Sequence, residues 1–124
     1  MKLVSTSLVV VALALASTQV ATPSPAAAPT VVHATIWPNL IITFSPATFK
    51  KGTVVIKVKN RATKAHLFSI NGVTSGKIQP HTTVPVMVTF KRAAGYTASL
   101  ADCGYLSPCG QAGEHAGGNV KVIR

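Results

Sequence analysis

TVVIKVKN, residues 53–60, decides the fold. Val54, Ile56 and Val58 alternate with Val55, Lys57 and Lys59, so one face is apolar and the other carries the charges. A period of two marks a strand half-buried in a sheet, because successive side chains point to opposite faces. The same pattern extends in both directions. Downstream, AHLFSI (65–70) puts His66, Phe68 and Ile70 on one face and Leu67 and Ser69 on the other. Asn71-Gly72 then ends it, a pair suited to the left-handed backbone of a tight hairpin turn. Upstream, LIITF (40–44) aligns Leu40, Ile42 and Phe44, and VVHATIW (31–37) forms a first strand stopped by Pro38-Asn39.

TTVPVMVTF (82–90) places Val84, Val86, Val88 and Phe90 together. Pro85 falls on the opposite face and cannot donate to a ladder, which predicts an edge strand or a bulge. GYTASL (95–100) and NVKVI (119–123) complete the set. No stretch has a helical period. Seven or so short strands with turn signals between them predict an all-β Greek-key β-sandwich. Residues 101–118, ADCGYLSPCGQAGEHAGG, are expected to form a long loop carrying both cysteines, both acids and His115. Ordered loops of that length tend to be functional.

The start of the chain reads differently. Lys2, the apolar run Leu8–Ala16 and Ala14-Leu15-Ala16 fit a secretory signal peptide over 1–21, with cleavage open between residue 16 and residue 28. The run is shorter than the roughly 20 apolar residues a spanning helix needs, so no transmembrane span is expected after processing. TPSPAAAPT (22–30) reads as a Pro/Ala-rich tether, leaving 31–124 as one domain. The expected location is secreted or extracytoplasmic, periplasmic or at the cell surface. There Cys103 and Cys109 form a disulfide by default.

The formal charge is +10, from twelve Lys and Arg against Asp102 and Glu114. Such a surface attracts anions, which points to an acidic protein or an anionic envelope surface. Nucleic acid is not expected, because the cations are dispersed and the aromatics few. Two acids leave little for acid–base work, and no Gly-rich phosphate loop opens a helix, so the chain reads as a non-enzyme; it is expected to be a monomer.

FSPATFKKGTVVIKVKN (44–60), HLFSI after a short polar loop, GKIQPHTTVPVMVTF (76–90), Gly95-Tyr96 and GNVKV (118–122) together resemble the cupredoxins, the small secreted bacterial ones most closely. The resemblance implies a cupredoxin-like sandwich with one copper ion at its end, and electron transfer. It implies His66 as the first copper ligand, with a Cys, a His and a Met following in the loop before the last strand. A thiolate with two imidazoles in a trigonal plane, plus a weak axial Met, suits a copper ion that changes oxidation state.

Cys109 and His115 stand in the expected order, spaced one residue wider than a common family spacing. Leu100 occupies the place where the Cys is expected by counting forward from Tyr96, and no Met follows His115. Met87, the only Met in the mature chain, faces away from Val86. Cys109 serves as a ligand only if it is not in a disulfide with Cys103, since a disulfide sulfur is no thiolate. His66 and His115 could then hold Cu(II) or Zn(II) weakly, with water completing the shell. Two expectations result. One is a binding or carrier protein with a partial copper site. The other is a sandwich without copper whose basic surface docks on an acidic partner or the envelope. An immunoglobulin-like adhesion domain is disfavoured, because Cys103 and Cys109 are too close in sequence to bridge two sheets.

Overall fold

A computed structural model describes residues 28–103, 109–110 and 115–124. Over these residues the chain forms nine strands and no helix: β1 (Thr30–Ile36), β2 (Ile42–Ser45), β3 (Thr48–Lys50), β4 (Gly52–Asn60), β5 (Ala65–Ile70), β6 (Val73–Ile78), β7 (Thr83–Phe90), β8 (Ala94–Cys103) and β9 (His115–Ile123). They make two sheets, ordered β2-β1-β4-β7 and β3-β9-β8-β5-β6. β1 runs parallel to β4 and β3 parallel to β9; the other pairs are antiparallel. The chain therefore crosses between sheets repeatedly instead of meandering within one. This is an all-β sandwich of two mixed sheets, consistent with the Greek-key, cupredoxin-like sandwich expected from the sequence.

The alternating residues of β4 do what their period dictates. Val54, Ile56 and Val58 are buried while Lys57 and Lys59 are exposed. They meet Val32, Ala34 and Ile36 of β1 and Val86 and Val88 of β7 in one core with Phe68, Ile70 and Leu100 from the other sheet. Burying each such large side chain contributes about 1.5–3 kcal/mol. Phe90 packs edge-on against Phe49 (5.3 Å between centroids) and Tyr96 (4.8 Å), and the Tyr96 hydroxyl donates to the Arg92 carbonyl at 2.9 Å. That set pins the β7–β8 turn to the core. Asn71 and Gly72 adopt φ of 50° and 77° and close the β5–β6 hairpin.

The edges are of a consistent kind. β2 has four residues and β3 three. β7 carries Pro85 opposite Lys57, as its position predicts for an edge strand, and β6 contains Gly76 at φ 75°. Edges this short or interrupted offer little to a further strand.

Three expectations need correction. β3 and β6 were not expected as strands. β3 is three residues long and held by β9, and β6 buries only Ile78, so neither shows an apolar period. The segment 101–118 is not one loop. β8 runs on to Cys103 because Ala101, Asp102 and Cys103 pair with Leu67, His66 and Ala65, and β9 starts at His115 opposite Leu100. LIITF enters its strand only at Ile42, since Leu40 is left-handed (φ 67°). The signal peptide, residues 22–27 of the tether and Glu114 lie outside the described residues.

Candidate functional site

One end of the sandwich gathers the Trp37–Ile41 turn, the loop 61–64 and the end of β8. Asn60 builds it. Its side chain is fully buried and donates to the carbonyls of Lys64 (2.8 Å) and Ile78 (3.0 Å), while its Oδ1 accepts from the Ala62 amide at 2.9 Å. Its carbonyl accepts from the His81 amide. A buried amide with this many partners fixes the loop that leads into β5.

His66 follows, two residues into β5, and faces inward with Phe68 and Ile70. It is 2% exposed. Cross-strand pairing sets Asp102 of β8 directly opposite, so the two side chains share a face. Nδ1 of His66 lies 3.1 Å from Oδ1 of Asp102, and Nε2 of His115 lies 3.5 Å from Oδ2. The carboxylate thus stands between the two imidazoles. The His66 contact is close without being a well-aligned hydrogen bond, and Nδ1 is buried with no hydrogen-bond partner. Burial pushes the His66 imidazole below its ordinary pKa, against the opposing pull of the Asp102 charge and the Ala101 carbonyl. It is therefore neutral at pH 7.

Cys103 and Cys109 are joined by a disulfide. It draws Gly110 in, so that its amide donates to the Asp102 carbonyl at 2.9 Å. This removes Cys109 from the ligands considered for copper. Met87 is on the outer face of the first sheet and 65% exposed, away from the interior that His66 faces. Among the described residues, no group of three or more His, Cys, Asp and Glu side chains is arranged to hold a metal ion. A copper centre of the thiolate type does not fit these residues. His81 sits in an exposed turn at φ 62°, and His33 is exposed on the outer face of β1. A half-open cleft of about 390 Å³ beside the cluster is lined by Thr63, Lys64, Gln79, Pro80 and Asp102, among others.

Asp102 is the residue that the sequence reading missed as a partner of His66. The signal was present: continuing the alternation of Tyr96, Ala98 and Leu100 by one step reaches Asp102.

The outer face of the first sheet is the second feature. Strand register lays its side chains in rows: Val31, Val55 and Met87; then Ser45, His33, Lys57 and Pro85; then Thr43, Thr35, Lys59 and Thr83. Beyond these, Arg61 lies over the Trp37 ring, 5.1 Å from its centroid, and Trp37 Nε1 donates to Thr43 Oγ1 at 2.8 Å. Across all described residues Asp102 is the only acid, while every Lys and Arg except Lys2 is present.

No family model and no curated protein matches the chain. Among solved structures, a copper-containing nitrite reductase from Thermus scotoductus SA-01 is similar at 20% identity with a TM-score of 0.38, over 59% of this chain and 22% of that one. The chain thus spans about a fifth of that enzyme's length. A likeness this partial carries no argument about chemistry.

Proposed function

We propose that the protein is a non-enzymatic, extracytoplasmic docking module: a cupredoxin-like sandwich without a thiolate copper centre, which binds an anionic partner through its cationic surface. The observation that carries this reading is the charge distribution. The one acid among the described residues stands between two imidazoles at the sandwich end, and the rest of the described surface is cationic or neutral. Such a field attracts anionic surfaces and opposes self-association. The disulfide fits an oxidising compartment. Electron transfer, which the resemblance implies, is not part of this reading, because Cys109 has no thiolate to offer. The test is retention on polyglutamate-coated beads against neutral beads. Retention on the acidic beads at about 0.15 M salt with release by about 0.5 M is expected. Passage through both at about 0.15 M salt refutes the proposal.

A second reading is supported by the buried, unpartnered Nδ1 of His66. Its 3.1 Å separation from Asp102, and the 3.5 Å separation of His115 from the same carboxylate, are near the ligand-to-ligand spacing around a four-coordinate ion with bonds of about 2.0–2.1 Å. In this reading His66 and His115, with water completing the shell, would hold Cu(II) or Zn(II) weakly after a rearrangement, since no three described side chains are placed to hold an ion as they stand. Competition titration with a chelating dye separates the readings. Loss of Cu(II) binding in His66→Ala supports the metal site, and equal weak binding by both proteins removes it.

A further inference from the structure

The docking reading leaves open which surface is used and by what, and the rows on the first sheet answer both. Lys57, Lys59 and Arg61 follow one another at alternate positions, along β4 and its continuation. Alternate residues of an extended chain lie about 6.6–6.8 Å apart on one face. Arg61 stays in line because its amide donates to the Ile36 carbonyl at 2.8 Å, extending the β1–β4 ladder, and because it lies over Trp37. The face therefore presents a straight, regularly spaced file of cations with no acid among its residues.

Apolar side chains flank that file. Of the four exposed large hydrophobic residues among those described, Val31 (42%), Ile41 (50%) and Met87 (65%) lie on this face, and Ile123 lies on the other sheet. Val31 and Met87 border it at the start of β4. Ile41 and Trp37 border it at the far end, where the Trp37 amide donates to the Ile41 carbonyl at 2.9 Å. Trp, Arg and Met are the residue types enriched in protein interfaces. Thr35, Thr43 and Thr83 lie between the apolar ends, and hydroxyls there suit a polar protein surface better than lipid tails.

We infer that the outer face of the first sheet is a docking site for the acidic surface of a partner protein, with Lys57, Lys59 and Arg61 meeting its carboxylates while Trp37, Ile41 and Met87 cover apolar side chains. The four strands, four to nine residues long and about 4.8 Å apart, give roughly 440 Å² at about 3.3 Å per residue. That is below the roughly 800 Å² per partner of a standard stable interface, so the contact is transient, fast to form and salt-sensitive. The inference rests on the docking reading and specifies its site and partner.

The test uses a synthetic glutamate-rich peptide with a leucine at every fourth position, and phosphatidylglycerol/phosphatidylcholine vesicles, both at about 0.15 M salt. Amide shifts on adding peptide are expected to cluster on β1, β2, β4 and β7. Lys57→Glu/Lys59→Glu/Arg61→Glu should weaken peptide binding at least about tenfold. Lys50→Glu/Lys91→Glu/Lys121→Glu changes the charge equally elsewhere and should weaken it less than about threefold. Met87→Ser, which leaves the charge alone, should weaken it about threefold. If the two triple variants lose affinity equally, this face is not the site, although the docking reading stands. If vesicles bind and the peptide does not, the partner is a membrane and the inference fails. If neither binds, the docking reading fails as well. Met87→Ser and the triple Lys/Arg→Gln variant keep the test decisive should charge reversal unfold the sheet.

Discussion

His66→Leu is expected to make the protein as stable as the natural chain or more so at pH 7, and to flatten its acid sensitivity. The imidazole is 2% exposed, and its Nδ1 has no well-aligned hydrogen bond to lose, only the close approach of Asp102 Oδ1 at 3.1 Å. A buried polar atom left without a partner costs about 1–3 kcal/mol, and leucine removes that cost. Leucine is a different shape from imidazole, which returns up to about 1.5 kcal/mol in strain. The expected net change at pH 7 is from about zero to about 2 kcal/mol in favour of the variant. Acid widens the gap. Burial lowers the folded-state pKa of His66 below its ordinary 6.5. Between the two values the unfolded chain takes up a proton that the folded chain refuses, so stability falls as pH drops. The contribution is complete above about pH 6.5 and is lost as pH falls from there through the folded-state pKa, at up to about 1.4 kcal/mol per pH unit for one group. Leucine has no proton to gain. Asp102, which the imidazole faces, opposes the trend, and His115 reinforces it. Guanidinium denaturation of both proteins at pH 5, 6, 7 and 8 provides the measurement. A variant less stable by more than about 2 kcal/mol at pH 7, with its acid slope unchanged, would show that His66 is charged and stabilised by Asp102, and would refute this account.

Asn60→Ala should cost about 3 kcal/mol, because two carbonyls and one amide at a buried position lose their partner together; thermal unfolding and faster hydrogen exchange at the Ala62 amide would report it. Replacing Cys103 and Cys109 with Ser should cost about 2 kcal/mol, since the loop they close is short, and alkylation of the natural protein without reductant should label neither residue. Gly118→Ala should cost about 1–3 kcal/mol, because its new methyl would meet the backbone carbonyl of Ile42. Gly117→Ala meets the buried Ile42 side chain, which can yield by a rotamer shift more readily than a backbone carbonyl, and should cost less, a difference that a paired melting experiment would expose.

The sandwich was legible wherever a strand buries one face and bares the other. β4, β5 and β7 alternate cleanly, Asn71-Gly72 marks its hairpin, and Pro85 marks an edge. β6 was hidden because as an edge strand it leaves most of its side chains partly or fully exposed, so nothing forces a period on VTSGKI. β3 was hidden because its pairing with β9 joins residues some seventy positions apart, which no local pattern records. The candidate site divides in the same way. The inward orientation of His66 followed from alternation, and the disulfide from compartment and spacing. Asp102 emerged only once β8 was paired with β5, because the contact depends on register and not on composition. The cationic file needed the parallel β1–β4 pairing to set Trp37 beside Arg61.

The short and interrupted edges also govern how these molecules behave in a crowd. A docking module gathered on a partner reaches local concentrations far above those in solution, where exposed strand edges would template one another into cross-β ladders. Here the exposed ends of both sheets are a four-residue strand, a three-residue strand, one with a proline and one with a left-handed glycine. On the docking proposal, copies gathered on a partner would therefore have no long strand edge through which to polymerise.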